Sequence, residues 1–145
     1  DYYFLSTREF ISRVQKEEFL EWEEVYEDQF YGTLRSEVDR IWANKKSIVF
    51  DIEVNGATNL KEYYGSRALA VFIKPPSPEV LFERLKKRKT ETEKSLQRRK
   101  ARAARELKFE NSFDTVLLND DLATALEDAE KIVRYFLELD ATEKT

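Results

Sequence analysis

The 145-residue chain contains no cysteine, no histidine and only three glycines. The absence of cysteine excludes a disulfide scaffold and a thiolate metal site, and the absence of histidine removes imidazole as a base or ligand. No apolar run approaches the roughly 20 residues that a membrane-spanning helix needs, and no cationic and apolar leader opens the chain. We therefore expect a soluble, cytoplasmic protein whose chemistry uses carboxylates, hydroxyls, lysine and arginine.

The length and the hydrophobic fraction of 41% suffice for one folding unit with a core, with room for a small inserted lobe. The net charge of -4 conceals a separation of charge along the chain. Residues 17–28 hold seven carboxylates and no base, whereas residues 84–105 hold 11 of the 25 lysines and arginines. The chain also starts at Asp1 inside a patterned segment, so we expect it to be part of a longer protein.

The first part of the sequence predicts a small mixed α/β unit. Ser6 and Glu9 form the S-x-x-E pattern of a helix start, and the apolar spacing predicts a helix over residues 7–16. The segments "FLEWEEVYE" and "QFYGT" predict two strands joined by an acidic turn. A second helix is expected over residues 35–44, and the continuous apolar start of "SIVFDIEV", residues 47–54, predicts a buried strand.

The second part alternates helices with strands. The segment "GATNLKEYYG", residues 56–65, predicts a short helix that starts at Gly56 and is closed by Gly65. It precedes the predicted strand "ALAVFIK", and Ser77 with Pro78 marks the start of another helix. Thr90 and Glu93 form a further capping pattern, and "FDTVLLND" predicts a third buried strand before a closing helix with one apolar stripe. Strands that alternate with such helices indicate a parallel sheet.

Two polar strand ends and one basic segment could carry function. In open parallel sheets ligands bind beyond the carboxyl ends of the strands, where "FDIEVNG" and "LLNDD" should lie. Asp51 and Glu53 could instead be solvated strand-end carboxylates, and residues 119–121 a turn with a helix cap. The basic stretch, residues 84–105, fits a lid that closes over a polyphosphate, a nucleic-acid surface or a solvated helix face.

Several ordered sequence blocks resemble guanylate kinases, which pass phosphate from ATP to GMP. The matching blocks are "DYYFLS", "FLEWEEVYEDQFYGT", "VFDIEVNG", "FIKPPSPEVLFERLKKRKTETEKSLQRR" and "FDTVLLNDDL". Their order and spacing cover the chain to about residue 139. The resemblance implies an α/β fold with a parallel-sheet, P-loop kinase-like core, an inserted mixed α/β GMP-binding lobe and a helical lid. It predicts four parts: residues 1–46 as the GMP lobe with a connecting helix, 47–83 as core, 84–105 as lid, and 106–145 as core strand and C-terminal helix.

The resemblance also implies roles for individual residues on the GMP side. Glu21 would accept hydrogen bonds from the N1 and exocyclic amino groups of guanine, and Thr33 would bind the base edge. Tyr2 and Tyr31 would reach the GMP phosphate. Asp51 and Glu53 match carboxylates near GMP, with Glu53 standing where many relatives have aspartate.

On the ATP side the resemblance assigns arginines and a loop. Arg84, Arg88 and Arg99 match the catalytic arginines of the lid, and Arg88 would also contact ATP. Asn119 and Asp120 match the segment beside the adenine. Lys87 and Lys89 replace the glycines that flank Arg88 in the family, so the hinge should be stiffer or follow another path.

One family motif has no counterpart in these 145 residues. No segment matches G-x-x-x-x-G-K-[ST], the P-loop that cradles the phosphates and supplies a magnesium ligand, so no metal ligand is expected within this chain. We expect that segment to precede Asp1 and the chain alone to be inactive. Two alternatives stay open: a non-catalytic interaction module that has lost the P-loop, and an RNA-binding helical protein. ATP, its Mg²⁺ and GMP are the expected ligands, with neither nucleic acid nor membrane as partner.

Overall fold

The computed structural model describes residues 3–87 and 93–143 and divides the chain into two compact units, Asp1–Tyr63 and Tyr64–Thr145. The length and composition predict one folding unit, whereas the structure has two. The boundary between the units lies at the C-terminal end of a helix rather than in a linker.

The first unit begins with helix α1, Thr7–Gln15. Its capping box is formed as predicted: the Ser6 hydroxyl accepts from the Glu9 N–H at 3.3 Å, and the Glu9 carboxylate accepts from the Ser6 N–H at 3.0 Å. These two bonds satisfy amides that the first helical turn leaves without partners. The local sequence therefore fixes where this helix starts.

Strands β1, Phe19–Tyr26, and β2, Gln29–Leu34, pair antiparallel and confirm the predicted hairpin. Asp28 in the turn adopts a φ of 60°, a conformation that aspartate tolerates better than most residues. The Asp28 N–H also donates to the Glu24 carboxylate at 2.9 Å. The register places Glu21 opposite Thr33.

Aromatic rings form the centre of the first unit. Phe10 of α1 stacks on Phe19 of β1 with ring centroids 4.3 Å apart, and on Phe30 of β2 at 5.4 Å. Helix α2, Arg35–Ala43, buries Val38. The helix α1 and the hairpin therefore share one apolar core.

The predicted strand over residues 47–54 is wrong. Residues 46–53 have no regular secondary structure, and helix α3, Val54–Tyr64, begins where the strand was expected to end. Val49 is 91% exposed. Among the described residues no strand pairs with this segment, and an apolar run becomes a strand only where a neighbour satisfies its backbone groups.

The second unit contains a parallel strand pair, β3 (Val71–Lys74) and β4 (Thr115–Leu118), which confirms the predicted parallel pairing. Helix α4, Pro78–Lys87, starts as predicted, with the Val80 N–H donating to the Ser77 hydroxyl. Helices α5, Glu93–Glu106, and α6, Leu122–Glu143, follow, and short 3₁₀ turns occupy Gly65–Arg67 and Leu107–Ser112. The capping pattern predicted at Thr90 lies outside the described residues.

The apolar stripe predicted for the closing helix lies largely on the surface of its unit. Ala125 is buried, whereas Leu126, Val133 and Leu137 are exposed. Phe72 and Leu117, from the two strands, supply buried side chains instead. In the part of the chain that the structure describes, no helix has the length and apolar character to cross a membrane.

Candidate functional site

Glu21 and Thr33 face each other across the hairpin and are joined by a hydrogen bond. The Thr33 hydroxyl donates to Glu21 Oε1 at 2.8 Å, and both residues are half-buried. Directly opposed residues of an antiparallel pair bring their side chains close together, so the register itself creates this contact. Two residues that the family resemblance assigned to base recognition are thus brought together.

Burial raises the pKa of the Glu21 carboxyl above its ordinary value, because desolvation penalises the charged form. Hydrogen bonds from the Thr33 hydroxyl and backbone N–H act in the opposite direction, and the nearby Glu23 charge adds to the rise. Glu21 is therefore a carboxylate whose charge is only partly compensated within the protein. Such a group gains from a ligand that brings further N–H donors.

Helix α3 approaches the second oxygen of the same carboxylate. A Cβ placed on Gly56 would lie 3.1 Å from Glu21 Oε2, which is closer than an ordinary van der Waals contact, and 3.5 Å from Ile52 Cδ1. Gly56 is buried in the first turn of the helix. The sequence predicted a helix start at Gly56 and indicated no further role for the glycine.

A cavity of about 390 Å³ lies beside this strand. Its lining residues are 19–22 of β1 together with Val14, Glu17, Arg35 and Asn59. The Arg35 Nε donates to the Glu17 carbonyl at 3.2 Å, and its guanidinium lies 5.6 Å from the centre of the Tyr63 ring. The sequence did not predict Arg35 and Asn59 at this cavity, since a single arginine after "YGTL" and an asparagine inside a helix give no signal that separates them from surface residues.

The other described residues predicted on the GMP side lie in β2 and in the irregular segment before α3. Tyr31 lies in β2 opposite Glu23 and is 52% exposed, and Asp51 is exposed in the irregular segment before α3. Glu53 is half-buried, and its carbonyl accepts the Ala57 N–H at 2.9 Å. Glu53 therefore lies at the entry to a helix rather than at the predicted strand end. Tyr2 lies outside the described residues.

In the second unit Arg84 binds the loop that follows β4. Its Nη1 donates to the Asn119 carbonyl at 2.6 Å and its Nη2 to the Asp120 carbonyl at 2.8 Å. Three predicted residues are thus brought together, through backbone carbonyls rather than through the side chains of the loop. Asp121 caps α6, and hydrogen bonds from the Thr124 N–H and hydroxyl hold its pKa below the ordinary value. The interpretation of this loop as a turn with a helix cap is confirmed for Asp121.

The basic segment is helical on both sides of the undescribed residues 88–92, which include Arg88. Arg99 lies in α5 and is half-buried. Lys100 lies 5.3 Å from the centre of the Phe82 ring, and Arg102 donates to Glu106 at 2.8 Å. Among residues 3–87 and 93–143, no three carboxylates are grouped so that they could hold a metal ion.

Comparison with known proteins connects both units to one family. A family profile described as guanylate kinase matches residues 1–135. The chain is 47% identical to the guanylate kinase of Porphyromonas gingivalis over 137 residues, which cover 94% of this chain and 73% of the relative. It is also 47% identical to the guanylate kinase of Bacteroides fragilis over 140 residues, covering 97% and 69%.

A solved structure supports the same relationship. The crystal structure of guanylate kinase from Anaplasma phagocytophilum matches with a TM-score of 0.75 and 27% identity over 93% of this chain. This chain spans 64% of the length of that solved chain. The predicted α/β, P-loop kinase-like fold is thereby confirmed. The family profile, the identities and the shared fold agree, and the chain belongs to the guanylate kinase family.

Proposed function

We propose that this protein transfers the γ-phosphoryl group of ATP to GMP, giving ADP and GDP. The observation that carries the proposal is the half-buried Glu21 carboxylate, held by Thr33 in a hairpin beside a cavity. Membership of the guanylate kinase family supports the reaction class.

Glu21 would select guanine by accepting its two adjacent N–H donors, at N1 and at the exocyclic amino group. Adenine presents an acceptor at N1, so it would leave the half-buried carboxylate without its second donor. Leaving a buried polar group without a partner costs more free energy than a typical hydrogen bond contributes. Sites of this kind reject the wrong ligand because that ligand leaves such a group unpaired. Thr33 would hold the carboxylate in place. The GMP site would be completed by Tyr2 and Tyr31 from the GMP lobe, residues 1–46, and by Asp51 and Glu53 from the segment that follows it.

Phosphoryl transfer would depend on positioning and on neutralisation of charge. Arg84, Arg88 and Arg99 of the basic segment are the groups we assign to the phosphates, and the loop at Asn119 and Asp120 would lie beside the adenine. Mg²⁺ would accompany ATP, neutralising charge on its phosphates. Such an ion is usually held by one or two carboxylates together with substrate phosphates and waters, so it needs no cluster of three protein ligands.

The guanine assignment is tested by Glu21→Gln in the intact natural protein. Titration with GMP and AMP should show GMP affinity reduced by about 10- to 100-fold, the range expected for losing a hydrogen bond to a charged group, with AMP affinity little changed. Glu27→Gln, in the exposed turn of the same hairpin, is the matched control and should behave as the wild type. If the Glu21→Gln variant retained the full GMP preference, the role of Glu21 would be refuted.

The alternative that the sequence leaves open is a non-catalytic interaction module. The two candidates differ in whether the intact natural protein cradles the β- and γ-phosphates of ATP, as a G-x-x-x-x-G-K-[ST] segment does. An assay of GMP-dependent ATP consumption by the intact natural protein separates the two candidates. Turnover supports the kinase, whereas GMP binding without turnover favours the module. The same assay on the 145-residue chain alone should show no turnover.

A further inference from the structure

We propose that Gly56 is a positioning residue for guanine recognition, because the missing side chain leaves the space that Glu21 Oε2 occupies. The inference rests on the proposed function and extends it to a residue on a different element. Gly56 does not contact the base in this proposal. It acts only through the position of the Glu21 carboxylate.

The two oxygens of Glu21 are constrained from two directions. Oε1 accepts the hydrogen bond from Thr33 at 2.8 Å, and Oε2 lies against the first turn of α3 at Gly56. A methyl group at position 56 would approach Oε2 to 3.1 Å, so one of the two must move by a few tenths of an ångström. The carboxylate terminates a flexible side chain, while the helix backbone is fixed by its hydrogen bonds, so the carboxylate should move.

The helix itself gives no reason for glycine at this position. Gly56 lies within α3, its φ is not positive, and alanine is the better helix former at such a site. A methyl group at position 56 would lie 3.5 and 3.7 Å from the neighbouring Ile52 atoms, which is ordinary contact. Glu21 is therefore the group that a side chain here would disturb.

This geometry predicts opposite effects on stability and on recognition. Gly56→Ala should leave the melting temperature unchanged or raise it by about 1–3 °C, because alanine favours the helix. The same substitution should weaken GMP binding by about tenfold, because recognition by two parallel hydrogen bonds is sensitive to small displacements. IMP lacks the exocyclic amino group, so its binding should weaken less than that of GMP.

The test measures GMP and IMP affinity by calorimetry, and the melting temperature, for the intact natural protein and four variants. The variants are Gly56→Ala, Glu21→Ala, the double variant, and Glu62→Ala as an exposed control in the same helix. With no carboxylate to displace, adding Gly56→Ala to Glu21→Ala should change GMP affinity less than about twofold. The Glu62→Ala variant should bind both nucleotides as the wild type does.

The outcomes separate the inference from the proposed function. A stable Gly56→Ala variant with reduced GMP preference, and no further loss in the Glu21→Ala background, supports the inference. Unchanged GMP and IMP affinities in the Gly56→Ala variant overturn it while the proposed function stands. A melting temperature lowered by more than about 5 °C also overturns it, because the helix rather than the carboxylate would then be displaced. If the preference of the wild type for GMP does not depend on Glu21, both the inference about Gly56 and the proposed function are overturned.

Discussion

Replacing Thr33 with valine removes one hydroxyl and keeps the branched shape that suits a strand. The lost group donates to Glu21 Oε1 at 2.8 Å. A hydrogen bond to a charged group contributes roughly 1.5–3 kcal/mol when buried, and the half-exposure of this pair reduces that value. We expect Thr33→Val to lower the free energy of unfolding by about 1 kcal/mol at pH 7.

The loss of unfolding free energy in Thr33→Val should be larger at high pH than at low pH. Burial raises the pKa of Glu21, and the Thr33 hydroxyl favours the ionised form. The hydrogen bond therefore contributes most above the folded-state pKa, and its contribution falls as the carboxyl becomes protonated below it. Burial of the Glu21 carboxyl has the opposite effect, because it destabilises the folded protein when the group is ionised. This destabilisation is absent below the unfolded-state pKa of Glu21 and grows as pH rises through its folded-state pKa.

Urea unfolding of the intact natural protein measures both effects, at pH 7 and at the lowest pH where the wild type remains folded. Thr33→Ser keeps the hydroxyl and should lose less than the valine variant. Thr115→Val is the matched control, a strand threonine whose side chain makes no hydrogen bond to another described residue. Equal losses for valine and serine at position 33, or a loss independent of pH, would show that no bond to an ionised Glu21 stabilises the hairpin.

Two further predictions concern Glu21 in the first unit and Arg84 in the second. Guanosine carries no titrating phosphate, so its affinity should fall as pH decreases through the raised pKa of Glu21, above the ordinary glutamate value of 4.5; an acid limb that persists in Glu21→Gln would contradict this. Arg84→Lys replaces a fork that spans the Asn119 and Asp120 carbonyls with a single donor and should cost about 1–2 kcal/mol in urea unfolding. The exposed Arg98→Lys is its control, and an equal, negligible change in both would show that the Arg84 contacts do not stabilise the loop.

Local sequence predicted the elements whose stabilising contacts are local. The Ser6 and Glu9 pair fixed the start of α1, and the alternation on either side of the acidic turn predicted the hairpin. Asp121 could be recognised as a helix cap because its partners lie three residues away. In each case the hydrogen-bond partners are close in sequence.

Residues 46–53 show why local pattern fails for other segments. Their apolar character resembles that of a buried strand, but strand formation depends on a neighbour elsewhere in the chain. Among the described residues none pairs with them, and α3 begins two residues before the helix that the sequence suggested. No property of these residues alone could report that outcome.

The order of the sequence blocks was enough to identify the family, since five motifs at suitable separations rarely occur together by chance, and the family profile agrees. The family resemblance also assigned Glu21 and Thr33, separately, to the guanine base. Only the tertiary structure decided what surrounds that pair: the hairpin register brings the Thr33 hydroxyl to one oxygen, and α3 brings Gly56 to the other. The approach of Gly56 joins residues 35 positions apart through packing, and packing distances between distant segments are set by the folded core rather than by any local pattern.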